Sequence, residues 1–172
     1  SDERILEEAR YVFSGMVYGF VFSYTPSDKA RRVEEEFLLE PYHWIQRGDP
    51  NFQVFQVRRE NQRVFVRVRY TLRDFQESWY RGMRSNVLPS VAGMGEGPFY
   101  LSTEGRMQAI KEAIKNAIRE YARGIMYNKP RTLKGILVLD AAPVMGMDSG
   151  MYRARISRAY IRLEEVRHYL VH

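Results

Sequence analysis

The 172-residue chain contains no cysteine. That absence excludes a disulfide framework, a thiol nucleophile and any zinc or iron–sulfur site built on thiolates. Histidine is almost as scarce, with three residues. His168 and His172 stand four apart and would share a helical face beside Glu164 and Glu165. A metal site needs a third and usually a fourth rigidly held ligand, so a C-terminal tail is the better reading. Long apolar runs are missing too. The longest, 11–24, covers 14 residues and is broken by Ser14, Gly15, Gly19 and Ser23. A membrane-spanning helix needs roughly 20.

Catalytic motifs also fail on inspection. Gly93, Gly95 and Gly97 lack the final glycine of a dinucleotide fingerprint, and no Lys-Ser/Thr follows them to make a phosphate loop. Ser149, between Gly146 and Gly150, is one place too late for a nucleophile elbow. Asp148, Ser149 and Gly150 suit a turn between two strands instead. Glu34, Glu35 and Glu36 cluster carboxylates with no second catalytic group nearby, and His43 stands between Tyr42 and Trp44 in a Pro-flanked loop. No cofactor or metal is therefore expected, and a non-enzymatic role is favoured over an enzyme whose site only the fold assembles.

What is present is arginine. Lys and Arg total 27, of which 22 are Arg and 5 are Lys, against 21 acids, leaving a net charge of +6. Guanidinium pairs bidentately with carboxylate or phosphate and stacks on aromatic rings. Two basic features stand out. Lys111, Lys115, Arg119 and Arg123 follow one another at i, i+4, an arrangement that costs a few tenths of a kcal/mol per neighbouring pair unless acids compensate it. Arg67, Arg69 and Arg73 share one face of a strand, and Arg153 and Arg155 share another. Were those strands neighbours, they would form an Arg-rich sheet face. Pairing of these Arg with Glu34 and Glu36 is expected, since opposite charges across strands are stabilising.

Along the chain, 3–10 reads as a short helix and 11–24 as a buried strand with bulges at Gly15 and Gly19. A strand over 33–40 and a loop over 41–50 follow, the loop offering Tyr42, His43 and Trp44 as a contact surface. The clearest hairpin runs from Phe52 through the turn 59–62 to Leu72. Its second strand alternates Val64, Val66, Val68, Tyr70 and Leu72 against Phe65, Arg67, Arg69, Thr71 and Arg73. Asp74 then caps a short helix carrying Phe75, Trp79 and Met83.

The segment 87–101 holds three Gly and two Pro and reads as an internal loop or hinge. Met107, Ile110, Ile114, Ala117, Ile118, Tyr121 and Ile125 recur every three or four residues and define an amphipathic helix over about 103–126. The apolar strand 133–139 follows. In the last strand, Tyr152, Ala154 and Ile156 alternate in one phase and Ala159, Ile161 and Leu163 in the other. A period of two changes phase only with an extra residue, which predicts a bulge near Ser157 and Arg158.

The expected fold is α+β, a single domain over 1–172 with a mostly antiparallel sheet of hairpins covered on one face by the long helix. Met107, Ile110, Ile114, Ile118 and Tyr121 are expected to pack on Val64, Val66, Val68 and Ile136. The function expected is a non-enzymatic binding or structural module of the bacterial cell envelope, periplasmic or lipoprotein-like, with another protein or an envelope component as partner. The alternative is a cytoplasmic nucleic-acid-binding domain in which the Arg-rich face holds phosphates and exposed aromatics stack on bases.

Overall fold

The computed structural model describes residues 2–85 and 87–170. Eight strands and three α-helices alternate in the order α1 (Asp2–Val17), β1 (Phe20–Thr25), β2 (Glu36–Pro41), β3 (Phe52–Glu60), β4 (Arg63–Tyr70), α2 (Asp74–Met83), β5 (Ser90–Pro98), α3 (Thr103–Ile125), β6 (Thr132–Leu139), β7 (Val144–Asp148) and β8 (Met151–Arg167). Six strands form one antiparallel sheet in the order β2-β1-β6-β8-β5, with β7 paired to the first part of β8. The fold is α+β, and α3 packs on the sheet.

The inner face of the sheet meets α1 and α3. Ile110, Ile114 and Ile118 interlock there with Phe20, Phe22, Tyr24, Leu133, Leu137, Leu139, Ile156 and Ile161, all buried. On the outer face, Ile136 and Val138 pack with Met83, Trp79 and Leu88, so α2 and its C-terminal loop form a third layer. Strand β6 is thus covered on both sides, which explains its nearly unbroken apolar sequence.

The first 16 residues of the described chain correct the expected boundary: α1 runs on through Val17, and the strand begins only at Phe20. Gly15 is helical and lies flat against the Phe20 ring, where a Cβ would collide. Gly19, at φ +93°, turns the chain from helix to strand. The aromatic and Val content of 11–24 signals burial in both elements, and burial is what the composition reported.

The glycine-rich segment is also corrected. Ser90–Pro98 is strand β5, not a loop. Gly93, Gly95 and Gly97 point at α3, and a Cβ at any of them would strike the backbone of Ala113, Ala109 or Gly105. Glycine here serves close approach: the helix lies directly on the strand through its Ala109, Ala113 and Ala117 side.

The phase change in β8 is where expected. Val91 pairs Ala159 and Gly93 pairs Ile156, so Ser157 and Arg158 together oppose Ala92. Ala154, Ile156, Ala159 and Ile161 consequently all reach the same core. A second bulge follows at Glu164, between the pairs Gly135–Leu163 and Lys134–Glu165.

The largest departure concerns the hairpin. β3 and β4 form a two-stranded sheet of their own and join neither edge of the main sheet. Val64, Val66 and Val68 therefore do not meet α3, and Ile136 faces α2 rather than α3.

Candidate functional site

The hairpin arm, β3 and β4, turns through Asn61 and Gln62, both at positive φ (50° and 66°), which matches the twist of a tight two-residue turn. Its register pairs Val54 with Val68, Val57 with Val66 and Arg58 with Phe65, and Phe55 is the extra residue of a bulge between Val54 and Gln56. Paired residues share a face. One face therefore carries Val54, Val57, Val64, Val66 and Val68, with Arg59 opposite Val64 near the tip. The other carries Arg58, Arg63, Phe65, Arg67 and Arg69, with the bulged Phe55 beneath the Arg69 guanidinium at 5.0 Å and Phe65 beneath Arg58 at 4.8 Å.

Residues 52–70 hold five arginines against one glutamate, four of the chain's six surplus positive charges. Arg58 reaches that glutamate, Glu60, at 3.4 Å. Among the described residues, no carboxylate lies within ion-pair distance of Arg63, Arg67 or Arg69. The expected pairing with Glu34 and Glu36 does not form, because β4 never becomes a neighbour of β2. Nor is β4 a neighbour of β8, so the two Arg pairs do not merge into one face.

The arm is unevenly exposed. β4 alternates between half-buried valines and exposed arginines, while β3 is exposed at every position after Phe52. α1 lies against β4, and the Phe13 and Phe52 rings meet edge to face at 5.6 Å. Val57 is 55% exposed, Phe55 52%, Phe65 43% and Val54 40%. Among the described residues no further strand pairs with β3, which is exposed from Gln53 to Glu60. A two-stranded hairpin alone is marginal in water, so this one depends on its root.

At the root, Asp49 accepts two hydrogen bonds from Arg73, 2.7 Å from Nη2 and 3.0 Å from Nη1. It accepts a third from the Tyr70 hydroxyl at 3.0 Å and a fourth from the Asn51 backbone N–H at 2.9 Å. The Asp49 side chain is 8% exposed. The Arg73 hydrogen bonds dominate and, with those of Asn51 and Tyr70, hold its carboxyl at about 2. Gln76 donates to the Tyr18 and Tyr70 hydroxyls at 2.7 and 2.8 Å and accepts from the Arg73 N–H at 2.8 Å, capping α2. The cap expected of Asp74 is thus supplied by Gln76. One half-buried network ties arm, α2 and α1 together.

The contact loop lies beside this root. Trp44, His43 and Arg73 share the lining of an open cleft of about 570 Å³ with Tyr18, Arg47 and Phe75. Tyr42 stacks on Trp79 at 5.6 Å, and Arg10 covers Trp44 at 4.5 Å. The structure therefore brings Arg73, about thirty residues further along the chain, to the side of the consecutive Tyr42, His43 and Trp44.

The remaining basic residues lie elsewhere. Lys115 contacts Glu35 at 2.8 Å and Glu112 at 2.9 Å, Arg119 reaches Glu35 at 3.9 Å, and Arg123 pairs with Glu120 at 2.9 Å. Lys111 sits 5.9 Å above the Tyr11 ring. From Lys115 onward the helical cation series is compensated by acids. Arg153 bridges Glu96 at 3.0 Å and Asp148 at 3.3 Å. Arg155 stands between Met94 and Val144 in the register of the main sheet. Among the described residues there is no His, Asp and Glu group able to hold a metal, and His172 lies outside them. No described helix is long and apolar enough to cross a membrane.

Sequence reasoning named Phe65 only as a member of the arginine face and passed over Phe55, Asp49 and Gln76. The local charge of 52–70 was the available signal for Phe55. The root had none, since its members only meet in space.

Comparison with known proteins adds kinship without chemistry. The chain is 29% identical over 155 residues to an uncharacterised protein of Treponema pallidum (strain Nichols), covering 90% of this chain and 65% of that protein. No solved structure matches it. A family model matches residues 1–169, and the chain belongs to that uncharacterised family.

Proposed function

We propose that the chain is a non-enzymatic binding module that captures another protein through the β3–β4 arm. One observation carries this reading. Five valines on one face and four arginines on the other belong to a strand pair whose outer member is exposed from Gln53 to Glu60. A surface both apolar and strongly cationic is poorly served by water alone, and exposed apolar area rimmed by charge marks contact sites. The cell envelope is the compartment proposed, in keeping with a chain of 172 residues that uses no cysteine.

The nucleic-acid alternative draws on the same arginines. It is less well served, because the ring faces of Phe55 and Phe65 on which bases would stack are occupied by Arg69 and Arg58. The valine face would also have no role in it.

A photo-crosslinking residue in place of Val57, used in living cells, tests the reading. Discrete protein adducts that disappear when Arg67 and Arg69 are changed to Glu are expected. Adducts only to nucleic acid, or none, would overturn it. Fractionation of the same cells tests the compartment.

A further inference from the structure

Resting on that reading, we infer that the partner adds to the free edge of β3 as an extended strand in which acidic and apolar residues alternate. Physical terms separate four kinds of occupant for the arm.

A second copy of this chain would bring two arms together, each holding four of its molecule's six surplus positive charges. Like charges directly opposite across strands are destabilising. Edge-to-edge pairing of two arms is thereby disfavoured.

A lipid bilayer would suit the valine face and the arginines, as it does an amphipathic helix. A helix satisfies its own backbone, however, whereas β3 has an open edge. Each unpaired N–H or C=O placed in hydrocarbon costs several kcal/mol. The same open edge that opposes insertion favours a strand.

Nucleic acid would leave both the valine face and the edge unused. An added strand uses all three features at once. Its backbone pairs with β3, and its alternate side chains fall on opposite faces. Apolar residues continue the row of Val57 and Val66, which Arg59 ends on the same side, and carboxylates meet Arg58 on the far side, with Arg67 behind it in β4 opposite Gln56. The bulge at Phe55 interrupts the inner part of the edge. The docking segment is therefore 56–60, toward the tip.

The probe is a ten-residue peptide of alternating Val and Glu, compared with one of the same composition ordered Val-Val-Glu-Glu. Backbone amide exchange of the intact chain is followed by NMR with each peptide. The alternating peptide should slow exchange within 56–60 by roughly tenfold, as a newly hydrogen-bonded strand does. The reordered peptide should not. Val57→Glu, at an exposed position that leaves folding intact, and Arg67→Glu with Arg69→Glu should each weaken the alternating peptide by roughly tenfold.

Equal protection by both peptides, or no protection by either at millimolar concentration, would overturn strand addition. So would stronger protection by phosphatidylglycerol vesicles or by oligothymidylate. The two levels fail separately. Protein adducts at position 57 with β3 unprotected would sink strand addition and leave the binding module standing, whereas loss of all protein adducts would sink both.

Discussion

Arg73 grips Asp49 through two nearly parallel hydrogen bonds of 2.7 and 3.0 Å, and that pair is the hinge post on which the arm hangs. Asp49 stands just before β3 and Arg73 just after β4, so the contact closes the hairpin at its base. Planar fork meets planar carboxylate, the geometry in which Arg outperforms Lys.

Asp49→Asn should cost about 2 kcal/mol, because it removes the charge from a bidentate pair whose arginine is still partly hydrated. The pH dependence has a definite sign. The carboxyl sits at about 2 in the folded chain against an ordinary 3.8. A lowered carboxylate stabilises above its unfolded value and loses that contribution as pH falls through the folded one. Wild type should therefore lose about 2 kcal/mol between pH 4 and 2 from this group, and the Asn variant should not. Urea titrations across that range measure the difference.

Gly95→Ala should be among the most damaging single-methyl changes in the protein. Its Cβ would meet the Ala113 N and the Ala109 O of α3, and neither backbone can yield without lifting the helix. A loss of at least 2 kcal/mol in chemical denaturation is expected, against about 1 or less at an open glycine such as Gly146.

Ile114→Ala should cost roughly 2–5 kcal/mol, since Ile114 is wholly buried between α3 and the sheet. Val57→Ala should cost less than about half a kcal/mol. The contrast matters more than either value: comparable losses at both sites would mean that the arm belongs to the main core.

Arg67→Glu together with Arg69→Glu should leave the melting temperature almost unchanged, because neither guanidinium has a carboxylate partner among the described residues. A shift within about half a kcal/mol is expected from calorimetry. Marked destabilisation would show these arginines to be structural.

Limited trypsin digestion should cut within 58–69 before it cuts in 102–126. Strand β5, read from its glycines as a hinge, should resist, since it is paired to β8 and pinned under α3. First cleavage at the margins of β5 would restore the hinge reading.

Some of this protein was determined by sequence alone. The apolar period of 107–125 specifies α3, because a stripe repeating every 3.6 residues can be buried only by a helix. The broken alternation of β8 dictates the bulge at Ser157 and Arg158, because both halves had to reach one core. The absence of cysteine was equally legible.

Tertiary structure decided the rest. Alternating valines in β4 show that one face is apolar, not what covers it; that depended on α2 and α3 having already closed both faces of the main sheet. Glycines in β5 show only that side chains are missing, which suits a flexible loop and a surface under a helix equally. The root is the extreme case. Asp49, Tyr70, Arg73, Gln76 and Tyr18 mean little one by one, and their chemistry exists only because the fold desolvates them together.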